Sequence, residues 1–142
     1  MPVSRFSYRQ AVAADAPAIM EVRLAVRENV LSNRTAVTVA ATAAYITGPG
    51  RGWVAEADGA IIGFSIANRS GLIWALFVRP GWEGRGIGTR LLADCIGWLR
   101  GIGVAEAFLD TGPGTRAEGF YRHAGWHESA RDGENVVFRR AL

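Results

Sequence analysis

The apolar positions of this chain change period several times, and each change marks an element. Phe6-Ser7-Tyr8-Arg9, with Val12 beyond, reads as a first strand. Asp15-Ala16-Pro17 has the form of a helix start, with Asp15 near the cap and proline in the first turn. Ile19, Val22, Leu24 and Val26 carry that helix on among charged residues. A second, alanine-rich helix is expected from about residue 37 to 46, closed by the loop Gly48-Pro49-Gly50-Arg51-Gly52. Residues 53–57 and 60–67 then flank Asp58-Gly59, the turn pair of a tight hairpin. Residues 72–78 are apolar almost throughout and read as a buried third strand of the same meander.

Helical spacing returns with Leu91, Leu92, Cys95, Ile96 and Leu99, and Gly101 and Gly103 end that helix. Residues 104–110 read as a strand parallel to the one before the helix, across a crossover. Thr111-Gly112-Pro113-Gly114 breaks it, and Thr115 or Gly114 caps a helix carrying Phe120 and Tyr121. Two last strands flank Arg131-Asp132-Gly133 and close near Phe138. The order is strand, two helices, three strands, helix, strand, helix, two strands. That is an α+β arrangement with a mixed sheet.

Composition narrows the class. A chain of 142 residues, 49% hydrophobic and 20% charged, is long enough for one domain with a full core, over residues 1–142. No apolar run is long enough to span a membrane, and the first residues lack a leader pattern, so a cytoplasmic location is expected. The single cysteine, Cys95, lies on an apolar helix face and forms no internal disulfide. The net charge is only +3 and the arginines are scattered, which argues against nucleic acid as a partner.

One local feature asks for a ligand. Gly84, Arg85, Gly86, Ile87, Gly88 and Thr89 lie between the apolar strand and the long helix. A glycine-rich turn at a helix start aims bare N–H groups, reinforced by the helix dipole, at one point where a phosphate can sit. A nucleotide-triphosphate loop would need a lysine, and the chain has none. A dinucleotide fingerprint would need a third glycine where Thr89 or Leu91 stands. What remains is close to Q/R-x-x-G-x-G/A after a strand ending Val78-Arg79-Pro80. Downstream, Ala117-Glu118-Gly119-Phe120-Tyr121-Arg122-His123-Ala124-Gly125-Trp126 follows A-x-x-F-Y-x-x-x-G-F/W.

Together the two segments resemble the GNAT superfamily of acyl-CoA N-acyltransferases, in particular its small bacterial N-acetyltransferases. The resemblance implies the GNAT fold, with a mixed, mostly antiparallel central sheet of about six to seven strands flanked by about four helices. It also implies acetyl-CoA or coenzyme A as cosubstrate, with no metal. The pyrophosphate would lie on Gly84, Arg85, Gly86, Ile87, Gly88 and Thr89, and the pantetheine arm along the backbone of Leu76, Phe77 and Val78. Tyr121 would be the general acid toward the departing thiolate, since a phenol of reference pKa about 10 stays protonated above a thiol's ~8.5.

Two positions depart from the family pattern: Glu83, where Gln or Arg is usual, and Gly114, where many relatives carry Asn. A carboxylate beside a pyrophosphate is repulsive unless it turns away or pairs with Arg85 or Arg79. The base is open between Glu28, Glu56 and water. Arg27, Glu28, Asn29, Glu56, Trp53 and Trp74 are the candidates for the acceptor side, the two tryptophans fitting a core better than a pocket. The acceptor expected is a primary amine of a small molecule. The alternatives are a protein N-terminus or lysine, or a non-catalytic acyl-CoA-binding module. A homodimer is left open as the assembly.

Overall fold

The structure, a computed structural model, describes residues 6–26 and 38–142. Among these described residues, seven strands and four α-helices follow one another in the expected order. β1 (Phe6–Gln10) leads through a short 3₁₀ turn at Ala13–Asp15 into α1 (Ala16–Ala25). Then come α2 (Val39–Thr47), β2 (Gly50–Ala57), β3 (Ala60–Asn68) and β4 (Ile73–Val78). α3 (Ile87–Gly101), β5 (Glu106–Thr111), α4 (Arg116–His123), β6 (His127–Arg131) and β7 (Val136–Ala141) complete the chain. The residues expected to open the second helix lie partly outside the described residues; within them the helix starts after Thr38, whose hydroxyl accepts the Ala41 N–H.

Local chemistry accounts for most boundaries. Asp58 and Gly59 both adopt positive φ, as a two-residue hairpin turn requires, and Ala57 pairs with Ala60 across it. α3 ends in a Schellman pair: the Gly103 N–H reaches the Arg100 carbonyl and the Val104 N–H the Leu99 carbonyl. Thr115, not Gly114, caps α4, its hydroxyl accepting the Glu118 N–H. Asp15 stands at the cap of α1, but its carboxylate accepts the Val12 N–H and the Arg9 guanidinium instead of a helical N–H. The last hairpin runs on to Ala141, past the expected end near Phe138.

The strands form two sheets rather than one continuous sheet. β1-β2-β3-β4 is an antiparallel meander, and β5-β7-β6 is a second antiparallel sheet. A single parallel bridge, Leu72 to Phe108, joins them at the start of β4. Beyond it the two strands part. α1 and α2 cover one face of the first sheet, burying Ile19, Val22 and Ile46 against Val54, Phe64 and Ile66. α3 covers the other face. Its Ile87 and Leu91 pack on Ala55, Ala57 and Ile62 of the first sheet. Its Leu92, Cys95, Ile96 and Leu99 pack with Leu109, Val136 and Phe138 of the second. One helix therefore ties both sheets together behind the split.

Candidate active site

The split between β4 and β5 opens into a cleft of about 1670 Å³ that reaches both faces of the sheet. On the α3 face it is floored by the turn after β4 and the first residues of α3. Gly86 is the N-cap of α3, at φ 82°, with no side-chain cap. The first helical hydrogen bond runs from the Arg90 N–H to the Gly86 carbonyl. The N–H groups of Ile87, Gly88 and Thr89 thus have no partner within the helix, and these residues line the cleft. A Cβ at Gly84 or Gly86 would meet no atom within 4 Å, so no part of the chain packs against the outer side of those two glycines. At Gly88 a Cβ would lie 3.5 Å from the Phe120 ring, which closes this end of the cleft.

The charged residues around this turn are engaged elsewhere. Arg85 lies over the Trp82 ring, its guanidinium carbon 5.0 Å from the centroid. Arg79 reaches Glu21 at 3.9 Å, and Arg90 pairs with Asp94. Glu83 neither approaches Arg85 nor Arg79. Its carboxylate accepts the Gly81 N–H at 2.9 Å, and its own backbone N–H together with that of Gly81 holds its pKa below the usual carboxylate value. The carboxylate is thereby folded back onto its own turn.

Register decides what β4 offers. The Arg79 N–H donates to the Ile62 carbonyl on β3, so along the alternating ladder Phe77 also turns its N–H and C=O toward β3. Leu76 and Val78 turn theirs the other way, to the open edge beside the cleft. Of the three β4 positions expected to bind through backbone, two present it. Phe77 contributes its ring instead, on the α1 face. A bulge lies just before: Ile66 pairs with Ala75 and Ala67 with Ile73, leaving Trp74 unpaired. Bulges re-aim side chains at sheet edges, and here Trp74 lines the cleft, stacked on Tyr45 at 3.9 Å.

Tyr121 lies on the inner side of α4 and lines the cleft while only 5% exposed. Its ring meets Trp126 edge-on at 5.5 Å and Phe138 at 6.1 Å. Burial raises the phenol's pKa well above its ordinary value, with the nearby Cys95 adding to the effect. Cys95 itself is pushed up to about 12 by burial, so it stays a thiol in the core.

The acceptor-side candidates fare unevenly. Arg27, Glu28 and Asn29 lie outside the described residues. Glu56 is not brought to the cleft: Arg9 holds it at 3.1 Å, on the far side of β3 from β4. Trp53 packs under α3 against Trp98, at 5.9 Å between rings. His123 lies at the cleft wall and His127 on exposed β6. Two residues not singled out from sequence do line the cleft on the α1 face, Arg23 and Asp110. Arg23 could have been found only by knowing which side of α1 faces the sheet; Asp110, only from the strand end at the split. Among the described residues no cluster of His, Cys, Asp or Glu could hold a metal ion, and no helix is long and apolar enough to cross a membrane.

Residues 20–126 match the sequence model of the Acetyltransferase (GNAT) family. No curated protein matches the chain. The fold is similar to the PaiA N-acetyltransferase of Thermoplasma acidophilum, solved with coenzyme A, at TM-score 0.83 and 16% identity over 96% of this chain and 99% of that one. It is also similar to a phosphinothricin acetyltransferase of Sinorhizobium meliloti, solved with acetyl-CoA, at TM-score 0.79 and 25% identity over 98% and 89% of the two chains. The ribosomal-protein-S18-alanine N-acetyltransferase of Escherichia coli is similar at TM-score 0.75 and 18% identity, over 96% and 92%.

Proposed function

The chain belongs to the Acetyltransferase (GNAT) family, and from that premise we propose that it transfers the acetyl group of acetyl-CoA to a primary amine of a small molecule, with the cleft between β4 and β5 as its active site. The observation that carries this reading is the coincidence, in one cleft, of an uncapped fifteen-residue helix N-terminus, an open strand edge and a buried phenol. The N–H groups of Ile87, Gly88 and Thr89, with the turn from Gly84 through Arg85 and Gly86, suit a pyrophosphate. Leu76 and Val78 suit a pantetheine arm laid along β4 as an added strand. Bound acetyl-CoA supplies an activated acyl carbon and a thiolate leaving group.

The chain's residues then divide the work. Leu76 donates its edge-facing N–H toward the carbonyl oxygen, a preorganised donor of a kind worth about 3 kcal/mol. Tyr121 gives a proton or a hydrogen bond to the sulfur; its raised pKa keeps it protonated, so it donates at any working pH. Trp74 and Phe77, which line the α1 face of the cleft, suit a small, partly apolar amine as acceptor. A thiol-release assay with acetyl-CoA against a panel of small amines tests this. Turnover of at least one supports it. Coenzyme A binding without turnover of any amine or peptide would leave the acyl-CoA-binding module as the reading.

A further inference from the structure

Acetyl transfer to an amine needs a group that receives the ammonium proton, and β5 ends in one. Phe108 donates its N–H to the Gly71 carbonyl, 3.0 Å away, beside the bridge that pairs it with Leu72. Two residues on, the same phase of the strand returns at Asp110. Its N–H and C=O therefore also point across the split toward β4, where the pairing has ended. Ala107 and Leu109 are buried in the cluster under α3, so the Asp110 side chain leaves by the opposite face of β5. That is the face from which Trp74 and Phe77 line the cleft. One residue thus brings two kinds of oxygen acceptor to the split, a backbone carbonyl and a carboxylate.

Position separates Asp110 from the other acids that line the cleft. Glu83 is folded back onto the Gly81 N–H. Glu134 leaves the turn between β6 and β7, outside any strand. Asp110 is fixed in the ladder opposite Val137. It is exposed and lines the cleft, and among the described residues its carboxylate enters no ion pair or hydrogen bond. Counted from the bridge, it is level with Trp74. Leu76, whose N–H faces the same opening, comes two residues later on β4, a rise of about 7 Å at ~3.3 Å per residue. That interval holds an acyl group and a nitrogen hydrogen-bonded to Asp110. Arg23, across the cleft on α1, lies over the Phe77 and Trp74 rings and is not called upon.

Resting on the acetyltransferase reading above, we propose that Asp110 receives the acceptor as an ammonium ion at the split and takes its proton. The carboxylate and the Asp110 carbonyl accept two of the ammonium N–H groups. One N–H bond then breaks and an O–H bond forms on the carboxylate. The freed nitrogen pair forms the C–N bond as the C–S bond breaks. A second proton leaves the new amide nitrogen and replaces the one that Tyr121 gives to sulfur. The proton on Asp110 passes to solvent, to which the residue is exposed.

The test compares charged with uncharged acceptors in the parent and in Asp110→Asn, which keeps the side chain's shape and removes its charge. Asp110→Ala is read beside it, so that one variant remains if the other does not fold. Binding comes first: phenethylamine and 2-phenylethanol, then 3-methylbutylamine and 3-methylbutanol, are titrated calorimetrically into protein saturated with coenzyme A. The parent should bind the amine of at least one pair at least tenfold more tightly than the alcohol, and both variants should lose that preference. Turnover comes second, by thiol release from acetyl-CoA with each amine of the panel and its 2,2-difluoro analogue. Fluorine withdraws electrons, so at about pH 8.5 the alkylamine is still an ammonium, like lysine, while the analogue is largely free amine. Asp110→Asn should lower kcat/KM at least tenfold for the alkylamine and less than threefold for the analogue. Asp110→Glu should recover part of the loss, and coenzyme A affinity should be unchanged throughout. An equal loss for both members of each pair, or an amine preference that survives removal of the carboxylate, overturns the proposal while leaving the acetyltransferase reading intact. Turnover of no amine by the parent would overturn both.

Discussion

Tyr121 belongs to the core and, in the proposed reaction, also to the chemistry. Its ring is packed against Trp126 and Phe138, and its edge reaches the cleft. Replacing it by phenylalanine keeps the ring and removes the proton. Tyr121→Phe should therefore lower kcat by about 10² to 10⁴ while coenzyme A affinity, measured by calorimetry, stays within about twofold, because the lost interaction strengthens only in the transition state. A kcat within about threefold of the parent, far short of that range, would make Tyr121 a packing residue. The candidacy of Tyr121 was legible in sequence because the aromatic pair on a helix came with a glycine loop upstream. Arg23 and Asp110 were not. Their place in the cleft wall depends on which sheet face each side chain leaves from, and the mixed polar pattern of α1 does not reveal that.

At the scale of elements, the order of strands and helices was readable, because turn pairs, caps and helical spacing are local signals. The division into two sheets was not, since pairing between β4 and β5 depends on contacts between distant residues. It rests here on one bridge. The distance of Glu56 from the cleft was hidden for a similar reason: it needed the register that puts Arg9 beside it.

α4, which carries Tyr121, is held by two local devices. Thr115→Ala should cost about 1 kcal/mol in chemical denaturation, as loss of an N-cap does. The second device is an ion network in which Glu118 and Glu128 pair with Arg122 and Arg131. For Glu118 the N–H of Gly114, then Arg122 and Arg131, hold its pKa at about 2; for Glu128, Arg131 and Arg122 do the same. The folded values lie below the unfolded ~4.3. Their contribution is therefore complete above about pH 5 and lost as pH falls toward 2. All four residues are near the surface, so the effect is small and salt-sensitive. Melting temperature followed from pH 5 to 2 should fall less steeply in Glu118→Gln than in the parent; identical slopes would remove the network from the account.

For the whole molecule, α3 is the member on which both sheets depend. Its first turns pack on the meander and its later turns on β5 and β7, so the two sheets should unfold in one cooperative transition by calorimetry. Two separated transitions would contradict that coupling. A ligand lying across the split adds a second tie. Coenzyme A at about 100 times its Kd should stabilise the fold by about 2.7 kcal/mol, a rise of about 5 to 12 °C in melting temperature for a chain of this size. The most direct test of the central claim is calorimetric titration of coenzyme A into the parent and into Gly86→Val. A branched side chain at φ 82° disturbs the turn that presents the helix N-terminus. The account predicts that the parent binds coenzyme A and that a folded Gly86→Val, checked by circular dichroism, binds it at least tenfold more weakly. Equal affinity in the two proteins, or no binding by the parent, would contradict it.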